Sequence, residues 1–103
     1  MKYLTRKEEI LLLAALRLEE NASLVKIMDY LNNNTEREWT AGNLYVALQK
    51  LRNMGYLSSF EGNPTARRGG RAAKYYRLTH SGLMALSKVK ILHESLWKGM
   101  TVN

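Results

Sequence analysis

The chain has no cysteine, one proline and one phenylalanine in 103 residues. Without cysteine there are no disulfides, no thiolate nucleophile and no cysteine-ligated zinc, and a reducing cytoplasm is the expected setting. His80 and His93 stand without carboxylates spaced to join them, so no metal site is expected. Glu94 follows His93, but adjacent helical residues point apart. There is no Ser-His-Asp order and no pair of carboxylates in an apolar setting, so no residue is assigned a catalytic role and no cofactor is expected. The chain is read as a non-enzyme. The apolar run Ile10 to Leu16 is closed by Arg17, Glu19 and Glu20 after seven residues. A membrane span needs about 20, and Glu8 and Glu9 interrupt what would be the approach to a signal core. The run reads as the first helix of a soluble protein, and the length fits one domain.

Acid is the other scarcity. Nine Asp and Glu face 16 Lys and Arg, for a net charge of +7. The imbalance is local. Between Thr40 and Thr79 lie seven basic residues, Lys50, Arg52, Arg67, Arg68, Arg71, Lys74 and Arg77, and one acid, Glu61; seven minus one is +6. The remaining nine basic and eight acidic residues leave +1. So local an excess predicts a surface for a polyanion. The composition is not that of a disordered chain, because 46% of it is hydrophobic.

Periodicity supplies the elements. Thr5 and Glu8 form a Thr-x-x-Glu capping box opening a helix from Arg6 to Leu18. Ile10 to Leu16 is apolar all round, a pattern buried on every side, and a partner subunit is expected on one of those sides. Ser23 caps a second helix, Leu24 to Asn32, with Leu24, Ile27, Met28 and Leu31 as its apolar stripe. Asn32, Asn33 and Asn34 are expected to end it. Thr40 caps a third, Ala41 to Met54, stopped by Gly55. Its buried face is Leu44, Leu48 and Leu51, and Gly42, Val46, Gln49, Lys50 and Asn53 point outward without an acid. Tyr56 to Glu61 and Lys74 to Leu78 read as a hairpin, with Tyr76 and Leu78 on one face and Tyr75 and Arg77 on the other. Thr79 caps a last helix, His80 to Lys98. There Leu86, Val89, His93, Leu96 and Met100 follow the spacing of a coiled-coil seam, widened by Leu83, Ile91, Leu92 and Trp97. The expected fold is mainly α with a two-stranded β-wing, a winged helix-turn-helix over residues 1–79, extended by a C-terminal dimerisation helix over residues 80–103 of the same structural unit.

Several stretches resemble the PadR-like transcriptional regulators. Asn43 to Leu51 is similar to that family's LYxxLxxL recognition helix, and Gly55-Tyr56-Leu57 to its step into the wing. Gly70-Arg71 with Lys74 to Thr79 resembles its GRxxKYYRLT wing strand, and Gly82 matches the following glycine of T-x-x-G. Leu11 to Leu16 resembles its first-helix leucine cluster. The likeness covers about Leu4 to Leu96, and Ala72-Ala73 departs from a usually more polar wing. It implies a repressor-type regulator that binds DNA as a homodimer, with the first and last helices making the dimer contacts. The single C-terminal helix matches the small subfamily, in some of which hydrophobic drugs bind between subunits against a pair of tryptophans. Trp97 is the comparable residue, about one helical turn further from the YYRLT motif.

The expected DNA-binding residues are Thr40, Asn43, Tyr45, Gln49 and Lys50 on the third helix and Arg67, Arg68, Arg71 and Lys74 in the wing. Asn43 and Gln49 can pair bidentately with adenine, and Lys50 reaches guanine or phosphate. Tyr45 donates its hydroxyl to a phosphate, and the wing arginines reach phosphates or the minor groove. The expected dimer interface is Leu11, Leu12, Leu86, Val89, His93, Leu96 and Trp97, with Trp97 also the position for a small hydrophobic effector. The expected partner is double-stranded DNA with a roughly palindromic operator, because a symmetric dimer places two recognition helices about 34 Å apart. Two other readings fit the charge: a non-specific architectural or RNA-binding winged helix, and a protein-interaction module that uses its last helix.

Overall fold

The computed structural model describes residues 2–36, 38–62 and 74–100. The chain forms α1 (Arg6–Leu18), a single 3-10 turn (Glu19–Asn21), α2 (Leu24–Asn34), α3 (Ala41–Asn53), β1 (Leu57–Glu61), β2 (Lys74–Leu78) and α4 (His80–Trp97). This is a mainly helical winged-helix fold with one two-stranded antiparallel sheet.

Each helix starts on a side-chain cap. At α1 both halves of the capping box are made: the Glu8 amide donates to Thr5 Oγ1 (3.1 Å), and the Thr5 amide donates to Glu8 Oε1 (2.8 Å). Ser23, Thr40 and Thr79 cap α2, α3 and α4 by the first of these bonds alone, the side-chain oxygen accepting from the amide three residues on. The end of α3 is a Schellman motif. Gly55 takes φ +84°, its amide donates to Arg52 O, and the Tyr56 amide donates to Leu51 O, both at 3.0 Å.

α2 runs two residues beyond Asn32, because the asparagines do not break it. Asn34 Nδ2 donates back to Tyr30 O (2.7 Å). Asn32 instead clamps the α2–α3 connection: its Oδ1 accepts from the Trp39 amide (2.8 Å) and its Nδ2 donates to Trp39 O (3.3 Å). Trp39, itself only 6% exposed, is thereby set into the core. Three other boundaries each move by one residue: α3 ends at Asn53, β1 starts at Leu57 and α4 ends at Trp97.

The core gathers Leu11, Leu12, Ile27, Leu31, Leu44, Leu48, Leu51, Leu57 and Tyr76, and α1 crosses its centre. In the sheet Leu57 pairs with Leu78 and Ser59 with Tyr76 on the inner face, and Phe60 pairs with Tyr75 on the outer. The strand alternation is as the sequence predicts, with Tyr76 buried and Arg77 exposed. Outside, Phe60 stacks on Tyr75 at 5.6 Å, and the Arg77 guanidinium lies 4.7 Å from the Phe60 ring. The Tyr76 amide also donates to Ala22 O (2.8 Å), tying the sheet to the α1–α2 connection.

Thr79 is a junction as well as a cap. Its Oγ1 accepts from the Gly82 amide (3.0 Å) and donates to Gly55 O (2.6 Å), and its amide donates to Tyr56 O (3.1 Å). One residue thus joins the end of α3, the approach to β1 and the start of α4. Thr79→Ala removes the cap and the bond to Gly55. The expected loss is about 1–2 kcal/mol, measurable as a lower urea midpoint at unchanged m-value.

α1 is not buried on every side: Leu13 and Leu16 are 40% and 41% exposed. The seam of α4 divides in the same way. Leu86 and Val89 pack within the chain, whereas Ile91, Leu96, Trp97 and Met100 are more than half exposed. The last turns of α4 therefore project beyond the core.

Candidate nucleic-acid interface

The geometry of α3 follows from its 100° step per residue. Leu44, Leu48 and Leu51 face the core, so Gly42, Val46 and Asn53 must face out. Asn43, Ala47 and Lys50 occupy the flank toward α1, where they line a shared groove with Thr5, Lys7 and Glu8. Tyr45, Gln49 and Arg52 occupy the flank toward the wing. Lys74 reaches across from β2, and its Nζ lies 5.8 Å from the Tyr45 ring centroid. In strand register Lys74 shares the inner face with Tyr76, which explains why it turns toward α3.

The exposed residues on this surface include Thr40, Asn43, Tyr45, Val46, Lys50, Arg52 and Lys74. The Thr40 oxygen accepts from the Asn43 amide (3.2 Å), which leaves its hydroxyl proton to give to an outside acceptor. Asn43 carries its amide side chain on the first turn, and Val46 (56% exposed) offers a methyl surface in mid-face. Gln49 is placed differently from the outward position expected of it. It is half-buried on the wing flank, and its Oε1 is enclosed without a hydrogen-bond partner. The hydroxyl of Tyr76, nearly fully buried, is likewise enclosed and unpartnered. Burial holds the Tyr76 phenol above its usual range, Tyr45 adds to that shift, and Arg52 opposes it. The phenol therefore keeps its proton at neutral pH and remains a donor between wing and recognition helix.

Arg67, Arg68 and Arg71 lie outside the described residues. Sequence reasoning passed over Arg52 and Lys7. Arg52 was legible as the i+7 neighbour of Tyr45 on one helical flank. Lys7 was not, because it reaches this surface only through the packing of α1 on α3.

The residues expected at a dimer interface separate into three sets. Leu11 and Leu12 are 1% and 0% exposed, and Leu86 and Val89 are 7% and 3% exposed. All four are core residues of their own chain and offer almost no surface to a partner. Their apolar spacing reflected the chain's own interior. Leu96 and Trp97 are 67% and 57% exposed on the projecting part of α4. His93 is half-buried against α1, with Nε2 3.6 Å from Glu9 Oε1, and Arg6 Nε lies 3.5 Å from the same oxygen.

Among the described residues no group of three or more His, Cys, Asp or Glu side chains is placed to hold a metal, and no helix is long and apolar enough to cross a membrane.

Solved structures share this architecture. A PadR-like transcription factor from Bacteroides fragilis aligns with a TM-score of 0.75 at 26% identity, over 89% of this chain and 84% of its own. A PadR family regulator from Clostridium difficile aligns with a TM-score of 0.69 at 24% identity, over 88% and 90% respectively. Bacillus subtilis PadR, solved in complex with operator DNA, aligns with a TM-score of 0.67 at 24% identity, over 84% of this chain and 49% of its own. No curated protein matches the chain in sequence. The model of the transcriptional regulator PadR-like family matches residues 12–88, well over half of the chain. By that match, on this winged-helix fold, the chain belongs to the PadR-like family of transcriptional regulators.

Proposed function

We propose that this chain is a sequence-specific DNA-binding regulator of the repressor type, which acts as a homodimer with α3 in the major groove and the wing beside it. The observation that carries the reading is the outward surface of α3. It presents Asn43, Val46 and the Thr40 hydroxyl without an acid, between Lys50 on one flank and Lys74 with Arg52 on the other. A helix meets the major groove with its N-terminal residues on base edges. Asn there can pair with adenine, and valine methyls can touch a thymine methyl. Bacillus subtilis PadR, which shares this fold, was solved in complex with operator DNA, and that supports reading this chain as a DNA binder. Residues 1–79 would carry the DNA contacts and residues 80–103 the dimer contacts. The exposed apolar side chains Ile91, Leu96, Trp97 and Met100 supply a surface for a second copy. A hydrophobic effector stacked on Trp97 would act by favouring a dimer whose α3 spacing no longer matches the operator.

Selection of bound duplexes from a random pool tests the reading. Enrichment of a palindrome with half-sites about 34 Å apart is expected. On that duplex Asn43→Ala should relax preference at one base pair by about 1–3 kcal/mol, whereas Arg68→Ala should weaken all duplexes alike. Salt-sensitive binding without enrichment would instead establish a non-specific nucleic-acid binder and remove the readout role of Asn43.

A further inference from the structure

The geometry points to a second phosphate contact on the α1 side of α3: Lys7 together with Lys50 grips the duplex backbone that borders the major groove opposite the wing. This inference rests on the DNA-binding reading and extends it to an element outside the helix-turn-helix and the wing.

Between α1 and α3 runs a groove of about 360 Å³. Its rim carries Lys7 from α1 and Asn43 and Lys50 from α3, and Leu11 and Leu51 form part of its floor. Glu8 also lines it, but its Oε1 accepts from the Thr5 amide at 2.8 Å, so the carboxylate is engaged in the cap. The Lys7 ammonium lies 5.4 Å from the Trp39 ring centroid. That ring is buried, and its backbone is clamped on both sides by Asn32. The amine is therefore held against a rigid face rather than free to sweep through solvent. Cations at the rim of this groove suit a sugar–phosphate chain, with phosphate against Lys7 and Lys50.

Orientation selects DNA backbone as the occupant. A helix in the major groove, about 12 Å wide, has a phosphate backbone on either side. On the wing flank of α3 stand Lys74 and Arg52; on the α1 flank stand Lys50 and Lys7. Helix and wing account for the first flank. Among the described residues, α1 supplies the cation beyond α3 on the second. Arg6 does not line this groove; its Nε lies 3.5 Å from Glu9 Oε1.

The test uses the full chain and the duplex enriched by the unmodified protein, titrated over a range of salt concentrations. Each lost phosphate contact should reduce the slope of log affinity against log salt by about 0.9. Lys7→Met keeps an unbranched apolar side chain of similar length and removes the charge. It should flatten the slope by that amount for each Lys7 that touches DNA, and weaken enriched and random duplexes by the same factor. Lys7→Arg should keep the unmodified slope. Lys90→Met, on α4, matches the charge change and should leave the slope unmoved. An unchanged slope for Lys7→Met, in a protein that still binds the enriched duplex, would overturn the Lys7 contact while leaving the DNA-binding reading intact. An unmodified protein that binds no duplex, or binds without salt dependence, would overturn both. Melting curves for each variant separate lost contact from lost fold. If Lys7→Met melts early, a slope kept by Lys7→Arg but reduced by Lys7→Gln at low temperature supports the contact.

Discussion

Gly82→Ala should melt roughly 15 °C below the unmodified protein, whereas Gly42→Ala should melt a few degrees above it. Both glycines lie in the first turn of a helix, Gly42 in α3 and Gly82 in α4. Helix propensity alone favours alanine at both by about 0.5–1 kcal/mol. Their surroundings decide the sign. A β-carbon at Gly42 meets nothing within 4 Å. A β-carbon at Gly82 would overlap the Tyr56 carbonyl oxygen and crowd the Leu78 side chain. The side chain can turn away, but the carbonyl cannot: Tyr56 O also accepts from the Thr79 amide (3.1 Å), within the junction that joins α3, β1 and α4. The overlap must be relieved by moving the start of α4, at about 3 kcal/mol, the upper end of ordinary overpacking. Thermal melts followed by circular dichroism measure both variants. A Gly82→Ala protein as stable as its parent would show that α4 is not seated against Tyr56.

The second large effect concerns assembly. The pair Ile91→Asp and Leu96→Asp should convert a dimer into a monomer and weaken operator binding on the order of 100-fold or more, because two linked half-sites act through effective concentration. Ile91 and Leu96 are 64% and 67% exposed and make little contact with their own chain. Their replacement should barely alter monomer stability, yet each side chain covered in a dimer contributes about 1.5–3 kcal/mol. Leu12→Asp makes the contrast. Leu12 is fully buried in the core, so a charge there should unfold the chain rather than separate subunits. Sedimentation of the double variant decides the matter. An unchanged mass would place the dimer surface elsewhere, and a monomeric parent would remove the homodimer from the proposed function.

These outcomes trace how much could be read before the fold was known. The caps Thr5, Ser23, Thr40 and Thr79 were legible because a cap is a local event spanning four residues. So were the Gly55 stop, the face alternation of Lys74 to Leu78 and the buried face of α3. The asparagine run misled, because local preference allows Asn to end a helix, while the distant backbone of Trp39 made Asn32 a clamp inside one. Gln49 misled for a similar reason. At 100° per residue it belongs near the outward face, and only the approach of the wing closes over it. Within the candidate interface, Asn43, Tyr45, Lys50 and Lys74 were named from charge and spacing and lie on one surface, with Lys7 added by the fold.

By itself, then, the sequence determined the helices, the face alternation of the second wing strand, the family and the position of the basic surface, since these depend on side-chain periodicity, capping chemistry and charge along the chain. Tertiary structure alone decided which apolar residues are used up in the core and which remain outside. Leu12 and Leu96 carry the same side chain, and both fall on apolar stripes of terminal helices. One is sealed at the centre of the packing, and the other projects past its end. Burial is a property of what lies opposite a side chain, and no local pattern specifies that. The same holds for Lys7, whose place beside α3 comes from the packing of α1 against a helix more than 30 residues away in the chain.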